Sequence, residues 1–149
     1  YGYVYPKKSL PLTNFHGMEP DHTTDVETLL KKKKKLAVWM VSHWLRNDFH
    51  KYRVDIYGKC GSLDCGDQSH FSDCYKKFED EYKFYFSFEN SICADYITEK
   101  FFNILRLYIV PVVFGGGDYS AVSPPHSYIN VRKFPQREVT GRVSTLSRL

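Results

Sequence analysis

The polar residues best suited to chemistry are crowded into one stretch. Glu89-Asn90-Ser91 closes an aromatic segment, and Tyr96-Ile97-Thr98-Glu99-Lys100 opens an amphipathic one. A lysine beside a helix amino terminus favours a diphosphate, while a carboxylate and an amide can hold sugar hydroxyls. The plainer alternative is that Glu89 and Asn90 only make a turn and that Glu99 and Lys100 form a solvated first helical turn. Gly115-Gly116-Gly117 follows an apolar run but lacks the spacing of a dinucleotide fingerprint, and no Walker-type phosphate loop occurs. Neither a nucleophile elbow nor an HExxH zinc motif is present. Cys93 has no histidine near it in sequence that would activate it as a nucleophile.

Cys60, Cys65, Cys74 and Cys93 allow three pairings. No CxxC is present and His70 stands alone between Cys65 and Cys74, so the spacing fits disulfides or inert thiols rather than zinc. A disulfide would place the domain in a secretory compartment.

These residues need a scaffold, and the pattern around them supplies one. Leu36 to Ser42 and Val54 to Gly58 read as short buried strands. Ser72 to Glu81 predicts a helix with Tyr75 and Phe78 on one face. Tyr82, Phe84, Phe86 and Phe88 alternate with Lys83, Tyr85 and Ser87, which is the period of a strand. A helix begins near Asp95 to Thr98, where Asp or Thr can cap, and carries Phe101, Ile104, Leu105 and Tyr108 at helical spacing. Ile109 to Phe114 is the next strand, and Ser127 to Val131 a short last one. Continuous apolar strands alternating with helices predict an α/β fold, a Rossmann-like parallel sheet covered on both faces. In such a sheet ligands bind beyond the carboxyl ends of the strands, where Glu89 to Lys100 would lie. Only eleven residues, His43 to Arg53, join the first two strands, which is barely enough for a parallel crossover.

Composition narrows the function. At 149 residues, with 42% apolar and 17% aromatic residues, the chain can bury a core and is not a disordered, collagenous or coiled-coil protein. The net charge of +4 includes five charges in one run, Lys31 to Lys35, without which it would be −1. A diffuse basic surface for nucleic acid is therefore not indicated. The run itself reads as a solvated approach to the first strand, against the sharper readings of a nuclear signal or a phosphate-binding patch. Pro6, Pro11 and Pro20 make the preceding residues an irregular lead segment. No apolar stretch nears the roughly 20 residues of a membrane helix. The chain opens on Tyr1-Gly2-Tyr3-Val4 with neither Met nor a signal-peptide layout, so it is expected to begin inside a longer protein.

The run from Tyr82 through Glu89-Asn90-Ser91-Ile92-Cys93-Ala94-Asp95-Tyr96-Ile97-Thr98-Glu99-Lys100 to Phe102 closely resembles the signature of the α1,3-fucosyltransferases. Supporting matches, in the same order as in the family, are Ala37 to Ser42, Val54 to Gly61, Val110 to Val113, Gly115 to Ser120 and Pro124 to Ile129. The resemblance covers about residues 36–134 and is strongest toward animal, arthropod-like enzymes. It implies the carboxy-terminal, GDP-fucose-binding half of a two-domain GT-B glycosyltransferase. Residues 1–35 would then be a lead segment with the lysine run, 36–134 the donor domain and 135–149 a divergent tail.

By the same resemblance, Arg46 and Lys100 would meet the diphosphate, and Asn90, Tyr96 and Glu99 would hold the nucleoside and fucose. The reaction implied is inverting α1,3 transfer of L-fucose from GDP-fucose to GlcNAc of glycoprotein N-glycans. The catalytic base is expected in an amino-terminal acceptor domain rather than here, and no cofactor is expected to be tightly bound, with stimulation by a divalent cation left open. The family works on the lumenal side of the Golgi cisterna membrane, anchored through its amino-terminal segment. Two departures bear on this. The family has a longer helix before the Val54 strand, which bears on the place of Arg46, and Pro135 to Leu149 does not match its tail. The alternative is a non-catalytic GDP-sugar-binding remnant.

Overall fold

The computed structural model of the chain describes residues 25–41, 53–59, 61–65 and 71–134. Among them the parallel strands β1 (Lys35–Met40), β2 (Val54–Tyr57), β3 (Tyr82–Phe88), β4 (Val110–Phe114) and β5 (Ile129–Asn130) form one sheet in the order β2-β1-β3-β4-β5. The helices are α1 (Val26–Lys32), α2 (Phe71–Glu81) and α3 (Glu99–Leu105). This is the α/β, Rossmann-like arrangement that the apolar periodicity predicts. The chain steps from β1 to β2 on one side and then builds β3, β4 and β5 on the other, so the topological switch point lies between β1 and β3.

Alternation along the strands sends side chains to two cores. On one face Val38 and Tyr85 pack with Cys74 and Phe78 of α2 and Ile104 of α3. On the other, Ala37, Phe86 and Val112 pack with Trp39, Phe84 and Phe88. Tyr82 departs from the strict alternation. It packs on Phe78, with ring centroids 6.0 Å apart, because α2 runs into β3 with no loop between them.

The lysine run is not simply a solvated approach, and part of the presumed irregular segment is helical. Asp25 caps α1 by accepting from the Glu27 N–H at 3.0 Å, and Lys31 and Lys32 form the last turn. Lys33 is buried. Its ammonium donates to the carbonyls of Glu79 and of Tyr82, the latter at 2.9 Å, and burial lowers its pKa. At Glu79 the ammonium meets a carbonyl that the end of α2 leaves without a helical partner. Lys35 pairs with Glu81 at 2.9 Å and Asp55 at 3.5 Å. Two lysines of the run are thus engaged in holding the α2–β3 junction, while Lys31, Lys32 and Lys34 are exposed.

Cys65 and Cys74 form a disulfide with Cα atoms 5.7 Å apart, joining the stretch after β2 to α2. Cys93 is a free, exposed thiol. Cys60 lies outside the described residues. Among the described residues no helix is long and apolar enough to cross a membrane.

Candidate active site at the carboxyl ends of the strands

The loop from Glu89 to Thr98 leaves β3 at the switch point and enters α3. Glu89 continues the sheet, its N–H donating to the Phe114 carbonyl at 3.0 Å. Asn90 to Asp95 are exposed, and Asp95 turns the backbone through the left-handed region at φ 57°, which Asp tolerates better than most residues. Ile97 is buried with Phe101, Val113 and Tyr119, and this apolar anchor returns the chain to the sheet. Thr98 then caps α3, its hydroxyl accepting from the Lys100 N–H.

Four of the five residues expected at the donor belong to this rim. Lys100 Nζ donates to Asn90 Oδ1 at 2.9 Å and lies 3.8 Å from Glu89 Oε2. Tyr96 is half-buried and Glu99 is exposed in the first turn of α3. Burial raises the Tyr96 pKa, and the charges of Glu89 and Glu99 push it the same way, so its phenol remains a hydrogen-bond donor at neutral pH. Arg46 lies outside the described residues.

Glu89 differs from both readings offered by sequence. Its side chain has 0% exposure, so the carboxylate does not face a sugar hydroxyl, and it does more than make a turn. Oε1 accepts from the Thr98 N–H at 2.8 Å and from the Thr98 hydroxyl at 3.0 Å, and Oε2 lies 2.8 Å from the same hydroxyl. Neither Thr98 nor this use of Glu89 was legible as site machinery. The available signal was a Ser/Thr-type cap two residues before a lysine.

The glycine triplet supports the rim from below. A methyl carbon at Gly116 would lie 2.2 Å from the Cys93 carbonyl oxygen, and one at Gly117 would lie 2.3 Å from Ile97. The triplet therefore serves close backbone packing under the rim loop rather than a dinucleotide fingerprint. Gly116→Ala is expected to push the loop outward and destabilise the protein by about 1–3 kcal/mol, the usual range for overpacking. Urea unfolding measures this, and an unchanged midpoint would show that the loop does not rest on Gly116. Nearby, the Tyr119 hydroxyl is buried without a hydrogen-bond partner among the described residues. Burial, reinforced by the charge of Glu89, holds its pKa far above the usual phenol value, so it is neutral.

The site thus combines one cation, an amide, a phenol and an exposed carboxylate at the rim beside the switch point. That set can meet a diphosphate and a hydroxylated sugar. Among the described residues no group of three or more His, Cys, Asp or Glu side chains gathers to hold a metal ion.

Residues 30–148 match glycosyltransferase family 10 (fucosyltransferase), C-terminal region. The chain is 45% identical over 113 residues to alpha-(1,3)-fucosyltransferase C of Drosophila melanogaster, a match covering 68% of this chain and 26% of that protein. It is 43% identical over 122 residues to glycoprotein 3-alpha-L-fucosyltransferase A of the same organism, covering 74% of this chain and 24% of the relative. The human alpha-(1,3)-fucosyltransferase 4 is 33% identical over 147 residues, covering 91% and 25%. The chain spans about a quarter of the length of these relatives.

Proposed function

Because the chain belongs to glycosyltransferase family 10, the fucosyltransferases, we propose that it is the donor-binding part of an enzyme that moves L-fucose from GDP-fucose, with inversion, in α1,3 linkage to GlcNAc of glycoprotein N-glycans. The observation that carries this reading is the convergence of Asn90, Tyr96, Glu99 and Lys100 on one rim at the switch point of a parallel sheet.

The chemistry asks for what this rim offers. The transition state resembles an oxocarbenium ion while GDP leaves with growing negative charge. A fixed ammonium at the diphosphate stabilises that charge more in the transition state than in the ground state. Lys100 supplies the ammonium and exchanges its contact with Asn90 for phosphate oxygens, and Arg46 is a second cation for the same group. Asn90, Tyr96 and Glu99 hold the hydroxyls and the nucleoside. The carboxylate base that deprotonates the acceptor hydroxyl comes from an amino-terminal acceptor domain, together with the glycan contacts and the membrane anchor. The enzyme works on the lumenal side of the Golgi cisterna membrane, a setting that agrees with the Cys65–Cys74 disulfide.

The test is ligand-linked stability of the protein expressed from its complete reading frame. GDP or GDP-fucose at a hundred times Kd stabilises the native state by about 2.7 kcal/mol, which a thermal melt reads directly. Fucose transfer to an N-glycan acceptor completes the assay. A melting temperature indifferent to millimolar GDP would overturn the donor assignment.

A further inference from the structure

The buried carboxylate beneath the rim calls for an explanation that the turn itself does not give. An uncompensated charge in a protein interior is strongly unfavourable, and a neutral amide would close the same turn. The Glu89 side chain nevertheless has no solvent access, and the residue is fixed to the sheet through its own N–H and to the start of α3 through the Thr98 N–H and hydroxyl, both of which donate to its carboxylate. The nearby cation is Lys100, at 3.8 Å from Oε2 and 28% exposed. The Thr98 hydroxyl that meets Glu89 also accepts from the Lys100 N–H at 3.4 Å. Glu89 therefore acts on Lys100 by two routes, through the cap that sets the backbone and through charge that draws the ammonium inward.

We propose that Glu89 is a positioning residue for the donor diphosphate: it holds the Lys100 ammonium at the rim, between its own carboxylate and Asn90, without touching the ligand. The inference rests on the reading of this rim as a nucleoside-diphosphate site. The physical gain is preorganisation. A free lysine side chain carries considerable rotamer entropy, and an ammonium already confined at the rim loses less of it when phosphate arrives.

The experiment is a thermodynamic cycle on the full-length protein, using Glu89→Gln, Lys100→Ala and the double variant, with calorimetric titration of GDP and of guanosine. Gln keeps the volume and an oxygen acceptor for the Thr98 N–H while removing the charge. The expected result is a roughly tenfold loss of GDP affinity in Glu89→Gln, guanosine affinity changed less than twofold, and no further loss from Glu89→Gln once Lys100 is Ala, since coupled residues are non-additive. Equal losses in both backgrounds, or for GDP and guanosine alike, would show a merely structural role and overturn the inference. If Glu89→Gln does not fold, Thr98→Val enters the same cycle with Thr98→Ser as the variant that restores the hydroxyl. A wild-type protein that binds no GDP overturns the donor reading itself, whereas wild-type binding with a silent Glu89→Gln overturns only the positioning role.

Discussion

Alanine at Lys100 is expected to weaken GDP binding ten- to hundredfold while leaving the fold intact. The binding loss follows from the removal of a charge-assisted contact to phosphate, worth about 1.5–3 kcal/mol. Glu89 loses its nearby cation in this variant but keeps the Thr98 bonds that stabilise its carboxylate, so the protein should still fold, with a lowered melting temperature. Arginine at the same position should recover only part of the affinity, since its planar fork does not reproduce the point charge of an ammonium.

Glu99→Lys tests the other side of the same site. Its exposed carboxylate would no longer accept from sugar hydroxyls, so GDP-fucose binding should be lost with little change in melting temperature. Both variants are read by calorimetric titration at one fixed salt concentration, because phosphate contacts weaken with ionic strength. GDP affinity unchanged in Lys100→Ala would remove the lysine from the donor site.

What could be seen in the sequence depended on how local its physical cause was. The alternation of Tyr82 to Phe88 and the helical spacing after Thr98 are local, and β3 appears where it is expected, whereas α3 starts as expected but ends at Leu105, which leaves Tyr108 outside it and exposed. The helix α1 was hidden because its seven residues follow a proline-broken stretch and end inside the lysine run, and most of its side chains are exposed. The burial of Lys33 had no local signal at all, because its partners are carbonyls 46 and 49 residues farther along. The Cys65–Cys74 pairing was one of three arithmetical options until folding brought those Cα atoms within bridging distance. Last, β5 is two residues long rather than five, since only Ile129 and Asn130 align with Val112 and Val113.

The site divides along the same line. The rim residues share a short stretch and a resemblance, so they could be named together. The support beneath them could not, because it links residues distant in sequence: Glu89 to Thr98, Gly116 to Cys93, and Gly117 to Ile97. An acid at the end of a strand looks the same in sequence whether it faces solvent or a cap nine residues later. Only the return of the chain through buried Ile97 decides which.

Phe78→Ala is expected to be the most damaging single change to stability. Phe78 is fully buried in α2 and meets Tyr57 of β2 at 4.8 Å between ring centroids, Tyr85 and Tyr82 of β3 at 5.9 and 6.0 Å, and Tyr75 at 6.1 Å. It is the ring through which α2 grips two strands. Truncation of such a residue costs about 3–5 kcal/mol, the lost transfer energy plus the cavity left behind. Domains of this kind have only about 5–15 kcal/mol in total, so the variant should melt well below the wild type or fail to accumulate. Phe78→Leu, which fills part of the cavity, should lose far less. The damage is also expected to couple to the ligand site, since α2 continues directly into β3 and β3 carries Glu89. Saturating GDP should then return part of the deficit by mass action, about 2.7 kcal/mol at a hundred times Kd. Denaturant midpoints for both variants, with and without GDP, measure all of this, and a Phe78→Ala loss below about 1 kcal/mol would mean that α2 is held to the sheet by other contacts.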